Sequence, residues 1–256
     1  MFGRVNLDIA NQPKLLINNV DLRFIFQLET PQFFTLEAAS QKSRIKITDA
    51  VLYLSHCVLN ENILLHHARL LSKHDIQYPF TRTMLKAISL PQGIRTINLD
   101  SVFVGPLPNF VIITFIENTA FSGVSNKNPY NFKSYDLKNL QLFKNNMPIP
   151  HEPLDYSDEE VARAYTLFLD NIDAYNNNKT IPITFDNYKA GFFIAAFSLS
   201  PLSELNDCNN IHLEGNLRIS MQFAKNLPHT VTALIYATIP DVLVINRDYN
   251  CSTRYQ

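Results

Sequence analysis

The chain has 256 residues, 46% of them hydrophobic and 18% charged, with a formal net charge of -1. That length can bury a core for one large domain or two small ones, and the mixture excludes wholesale disorder. Near-neutrality excludes a global electrostatic pull toward nucleic acid or an anionic membrane.

In chain order, Leu15 to Glu29 (LLINNVDLRFIFQLE) alternates. Val20, Leu22, Phe24 and Phe26 fall on one face, with Asp21, Arg23 and Gln27 largely on the other, which predicts a half-buried strand. Residues 44–59 (RIKITDAVLYLSHCVL) alternate in the same way and predict another. A helix is predicted over about 60–74, with Asn60 as N-cap and Ile63, Leu64, Leu70 and Leu71 at helical spacing. Asn109 to Glu117 (NFVIITFIE) is a continuous β-branched run, expected of a strand covered on both sides. Phe143 to Ser157 has three prolines and no period, which predicts a loop or extended arm. Ser157 and Glu160 have capping-box spacing. They open a second helix over about 158–175, with Val161, Tyr165, Phe168, Leu169 and Ile172 on one stripe. Gly191–Leu199, Asn216–Ala224 and Thr230–Ile239 predict further strands, the last two joined by a proline-containing turn. With only six glycines, most turns fall to Asn, Asp and Pro. The expected class is all-β, a sandwich or jelly roll with two inserted helices.

Chemistry-bearing groups do not assemble into a catalytic pattern. His66 and His67 are adjacent on a helix and diverge by about 100°. His67 and His74 share a face but lie about 10 Å apart at 1.5 Å per residue. His56, His151, His212 and His229 are isolated, so no metal is expected. Asp155, Asp158, Glu159 and Glu160 read as favourable charge at a helix N-terminus. No phosphate loop, dinucleotide fingerprint or nucleophile elbow is present, so no cofactor or catalytic residue is expected. Cys57, Cys208 and Cys251 lack metal spacing and predict free thiols in a reducing compartment, with Cys57 a small core residue. Lys133 and Lys138 beside Tyr130, Phe132 and Tyr135 only weakly meet the requirements of a single-strand stacking groove, so no specific nucleic-acid site is expected. No apolar run reaches membrane-spanning length. The N-terminal MFGRVNLDIA lacks a signal-peptide layout, so synthesis inside the cell is expected and the sequons at Asn178 and Asn250 are read as unused.

The segment NPYNFKSYDL remains to be explained. Asn128, Pro129, Tyr130, Asn131 and Phe132, followed by Tyr135, Asp136 and Leu137 and then LQLFKNNMPIP, resemble a motif in the second half of the double jelly-roll major capsid proteins. These are the capsid proteins of Polinton (Maverick) elements and adintoviruses, including relatives left in animal genomes. YPFTRTMLKAISLPQG is similar to the segment before it. Leu107 and Pro108 in VFVGPLPNFVIITFIENTAFSG look like the introduction to its strand pair. Gly215, Asn216, Leu217 and Arg218 resemble the signature of the last two strands, and LLINNVDLRFIF a strand near the end of the first roll. The resemblance implies a jelly-roll β-sandwich, with residues 1–40 as terminal strands of an incomplete first roll and 41–256 as the second. Family subunits are about twice this length, which leaves a C-terminal piece or a shortened, domesticated form as alternatives. It implies a virion protein without catalysis that packs with itself, as a homotrimer or pseudo-hexameric capsomer, and with other capsid proteins such as a penton. The aromatic loop would roof the sandwich or bury against a neighbouring subunit. Two other classes stand beside this: a repurposed jelly-roll module binding carbohydrate or protein, and an enzyme, for which no clustered acid–base pair or metal set is visible.

Overall fold

The computed structural model describes residues 3–36, 45–157, 159–172, 174, 181–199 and 214–254. Nine strands make two antiparallel sheets: β1 (Ile76–Leu90), β2 (Thr96–Pro106), β3 (Phe110–Glu117), β4 (Leu137–Lys144), β5 (Met147–Asp155), β6 (Ala195–Ser198), β7 (Glu214–Phe223), β8 (Val231–Ile245) and β9 (Cys251–Thr253). One sheet runs β1-β8-β3-β6 and the other β2-β7-β4-β5, while β9 pairs with the far end of β8. From β1 to β8, successive strands alternate between the sheets except at the β4–β5 hairpin. The last strands, β7 and β8, return beside the first, β2 and β1. That double Greek-key winding of eight strands is a jelly roll.

The core is what period-two alternation predicts. Val111, Ile113 and Phe115 of β3, Leu217, Ile219, Met221 and Phe223 of β7, and Ala233, Ile235 and Ala237 of β8 are fully buried between the sheets. Phe115 stacks on Phe193 at 5.2 Å and meets Phe223 edge-on at 5.7 Å. The outer face of β3 is also covered. Among the described residues the α-helices are α1 (Pro31–Phe34), α2 (Glu61–Leu71), α3 (Asn118–Phe121), α4 (Val161–Asn171) and α5 (Phe185–Ala190). Phe110 and Ile112 pack under α4 and α5, through Val161, Phe168 and Tyr188. A strand covered on both faces explains the unbroken apolar run from Phe110 to Ile116.

Several expectations need correction. Residues 15–29 and 45–59 form no strand. Most of their large apolar side chains stand exposed, with Phe26 at 68% and Val58 at 100%. Alternation specifies a strand only where a neighbouring strand supplies the ladder. Cys57, in this region, is exposed rather than core. The proline-rich stretch is no loop: β4 and β5 form a hairpin through Asn145 and Asn146, both left-handed at φ 50° and 66°. β5 is an edge strand, where Pro148, Pro150 and Pro153 need not donate to a further neighbour. β1, whose 15 residues were recognised from the sequence only as a family motif, is the longest strand beside β8.

The first predicted helix spans Glu61–Leu71, and Asn60 caps it by accepting from the Asn62 amide at 3.0 Å. The second begins at Val161, with Glu160 at the N-cap and no side-chain cap, so the capping box does not form. The Glu160 amide bonds instead to the Ser157 carbonyl at 3.1 Å. Asp158 and Cys208 lie outside the described residues. The predicted stripe does face the sheet: Val161 and Phe168 are buried and Tyr165, Leu169 and Ile172 pack beside them.

Among the described residues, the outer strands β6, β5, β2 and β1 are each blunted differently. β6 is four residues long, β5 carries its prolines, and β2 breaks register between Leu99 and Phe103. On β1, the Asp8 carboxylate accepts from the Thr83 amide at 2.9 Å and the Tyr78 hydroxyl accepts from the Ile17 amide at 3.0 Å.

Candidate functional site

The residues singled out from the sequence fall into two groups at opposite ends of the sandwich. β7 links the two ends, from Glu214 beside Pro106 to Phe223 beside Leu137, a span of about 30 Å at 3.3 Å per residue.

The first group holds Leu107, Pro108, Gly215, Asn216 and Arg218. Leu107 and Pro108 are buried where β2 hands over to β3. The β4–β5 turn folds onto the start of β7. The Asn145 side-chain oxygen accepts from the Asn216 amide at 2.9 Å, and the Asn145 amide donates to the Asn216 carbonyl at 3.0 Å. Asn216 in turn donates from Nδ2 to the Asp100 carbonyl at 2.8 Å. A Cβ at position 215 would lie 1.9 Å from Asn145 Oδ1, so only glycine leaves room for this clasp. Two residues on, the Arg218 guanidinium sits over the Phe143 ring at 4.1 Å, a cation–π contact between paired strands. These residues tie three strands together at one end.

The second group lies in the loop from β3 to β4. Asn128 Oδ1 accepts from the Tyr130 amide at 2.9 Å, closing an Asx turn. Pro129 is buried, Phe132 half-buried, and Asn128, Asn131 and Asp136 are exposed. Tyr130 is 67% exposed, its ring edge-on to Phe33 at 6.0 Å. Tyr135 and Asp136 are both left-handed, at φ 52° and 53°, a geometry that costs a non-glycine residue about 1–2 kcal/mol. Tight anchoring maintains it. The Asp136 carbonyl accepts from the Ala224 amide at 2.7 Å, and its carboxylate pairs with Lys225 at 3.1 Å. Tyr135 half-buries against the core and meets His229 edge-on at 5.4 Å. Burial, reinforced by the charge of Glu117, pushes the Tyr135 phenol up to about 12. Glu117 moves the other way: hydrogen bonds from Lys127 and Thr119 hold its carboxyl below the usual 4.5.

Within the loop Pro129 is buried and Tyr135 packs against the core, while Tyr130 is exposed. Sequence reasoning missed the loop's neighbours. Gly191 is left-handed at the C-terminus of α5, and the Phe192 amide reaches back to the Asn187 carbonyl at 3.1 Å. A glycine following a short helical turn is the signal that could have found α5. Phe192 then stands exposed across from Asp136, Lys133 and Lys225. These residues line a cleft of about 400 Å³. Among the described residues no group of three His, Cys, Asp or Glu side chains could hold a metal ion, and no helix is long and apolar enough to cross a membrane. His66 and His67 lie on the surface of their helix, and His151 is exposed on β5.

No family model matches the chain. It is 23% identical over 235 residues to an uncharacterized protein of Caenorhabditis elegans, covering 88% of this chain and 56% of that protein. The chain thus spans little more than half the length of that relative. Among solved structures it is similar to PBCV-1 VP54 fitted into a reconstruction of the virophage Sputnik, at TM-score 0.49 and 9% identity, covering 77% of this chain and 55% of that one. A chain of the Sputnik virophage structure follows, at TM-score 0.45 and 15% identity over 70% of this chain and 38% of that one. The mavirus major capsid protein is similar at TM-score 0.40 and 9% identity over 70% and 41%. What the chain itself shows is the winding of its strands. It is a jelly roll.

Proposed function

We propose that this chain is a structural capsid subunit of the double jelly-roll type, from a Polinton- or adintovirus-like element or a shortened, domesticated descendant. In this reading it works by packing and has no catalytic step. The observation that carries the proposal is a contrast within one chain. An eight-stranded jelly roll with a dense core is joined to stretches, residues 15–36 and 45–70, whose Leu22, Ile25, Phe26, Ile47, Val51 and Leu54 are all exposed. Apolar surface of that extent calls for a protein cover. Residues 1–40 would be the terminal strands of a first jelly roll, paired when the rest of that roll is present, and 41–256 the second. The motif Asn128–Asp136, at the loop end, would contribute Tyr130 to a contact with a neighbouring copy, since its ring is outward and amphipathic. The clasp at Gly215 and Asn216 would keep the opposite end rigid. Partners follow from this: further copies of the chain in a trimeric or pseudo-hexameric capsomer, and other shell proteins such as a penton, within a virion.

Light scattering on the purified chain at several concentrations tests the proposal. A trimer or hexamer is expected, with particles then visible by electron microscopy. Phe132→Ala should lower the assembled fraction. A monomer at every concentration overturns self-assembly by this chain.

A further inference from the structure

The cleft at the loop end has a chemistry that packing does not require. Three segments wall it: the β3–β4 loop at Asn131–Asp136, the end of α5 at Gly191 and Phe192, and the β7–β8 loop at Lys225–Pro228. Each is pinned to the body of the sandwich. The Lys133 amide donates to the Phe115 carbonyl at 3.1 Å. The Leu227 amide and carbonyl bond to Ile94 and Gly93 at 3.1 and 2.9 Å. Next to Phe192, the Phe193 carbonyl accepts from the Thr114 hydroxyl of β3 at 2.8 Å. The walls are therefore set before any ligand arrives, which removes an ordering cost from binding.

Phe192 is 56% exposed, while the adjacent Phe193 is buried against Phe115. The Phe192 ring is thus an apolar platform left open to solvent. Around it stand groups of both hydrogen-bonding senses. The Lys133 ammonium, which has no side-chain partner among the described residues, donates only. The Asp136 carboxylate accepts only. The Asn131 and Asn226 amides do both. Tyr135 stays a neutral hydroxyl, since burial holds its phenol proton in place. Asp136 pairs with Lys225 at 3.1 Å, so one ammonium and the one carboxylate of the wall are already matched, and what remains is a set of single donors and acceptors rather than a cluster of cations. A ligand suited to this wall has one apolar face and a rim of hydroxyls, each able to donate and accept. A pyranose sugar has that chemistry, and about 400 Å³ gives room for a mono- or disaccharide.

We infer that the cleft between Phe192, Asp136 and Lys133 is a binding site for a neutral sugar, stacked on Phe192 and hydrogen-bonded through Asp136, Lys133 and Asn226. It does not depend on the capsid reading, since a monomer carries the complete cleft. An open cleft of this size gives a weak site, about 1 mM in Kd.

Saturation-transfer NMR on the full 256-residue chain tests it, with lactose, maltose and chitobiose each at millimolar concentration. Transfer to the ring protons of at least one sugar is expected. Phe192→Ala should weaken that binding about tenfold, and Asn226→Ala should weaken it less. Both side chains are exposed, so the melting temperature should hold, and Asn226→Ala still reports on the cleft if Phe192→Ala does not fold. An acidic peptide and inorganic phosphate serve as competing probes. No transfer to any of the three sugars overturns the inference, as does transfer undiminished in both variants. Binding of the peptide or phosphate in place of the sugars overturns it too.

Discussion

Residues 15–29 and 45–59 present nearly the same alternation of apolar and polar side chains as residues 216–223 and 231–239, yet the first two form no strand and stand largely exposed, while the others lie at the centre of the sandwich. Leu217, Ile219, Met221 and Phe223 are wholly buried. Leu22, Ile25 and Phe26 are not. The difference lies in neighbours rather than composition. β7 has β2 on one side and β4 on the other. Residues 20–28 make no ladder bonds. Alternation records which face a segment would bury, and a partner strand determines whether it does so.

Mutations at matched positions should separate the two regions. Phe115→Ala removes a ring from the stacked cluster at the centre of the core and should cost about 3–5 kcal/mol in urea unfolding. Phe26→Ala, the matching change in the exposed stretch, should stay within about 0.5 kcal/mol on the isolated chain. A large loss at Phe26 would mean the stretch is already packed in solution. Between these lies Gly215→Ala, whose new methyl meets the Asn145 amide and should cost about 1–3 kcal/mol. Asn145→Gly keeps the left-handed turn and clears the space. The double variant should therefore recover part of the Gly215→Ala loss, and strict additivity would show that the clasp does not couple the two positions.

A smaller effect concerns acid. Because hydrogen bonds lower the Glu117 carboxyl below the usual 4.5 in the folded chain, its ionised form stabilises the fold above that value. The contribution fades as pH falls through the lowered one. Glu117→Gln should flatten the fall in melting temperature between about pH 5 and pH 3. An unchanged acid limb would assign the fall to other carboxylates.

The sequence revealed the fold where side-chain period and burial agree, and hid it elsewhere. β3, β7 and β8 were readable because one or both faces are apolar. β1 was hidden by Arg82 and Lys86, which occupy positions of the inward-facing alternation. Arg82 reaches the buried Asp241 at 3.5 Å, and Lys86 lies over the Phe103 ring at 4.7 Å. Both long stems bury while their charges find partners. β5 was hidden by its prolines, because sequence does not say which strand will lie at an edge. The candidate site was readable in part. The NPYNFKSYDL loop and the Gly215–Asn216 pair drew attention by their residues. Phe192 and Lys225 did not, because they join the loop only after the chain has wound through both sheets.

The differently blunted edges bear on how copies of this chain would meet in the proposed assembly. A jelly roll offers rows of unpaired amides at the margins of both sheets, and backbone pairing between copies leads toward fibres that do not come apart. Here one margin is too short, one lacks donors at its prolines, one is kinked out of register, and on one the Thr83 amide is taken by Asp8. Contact between copies, as proposed above, would then fall to side-chain surfaces, whose contacts can break and re-form while each unit stays folded.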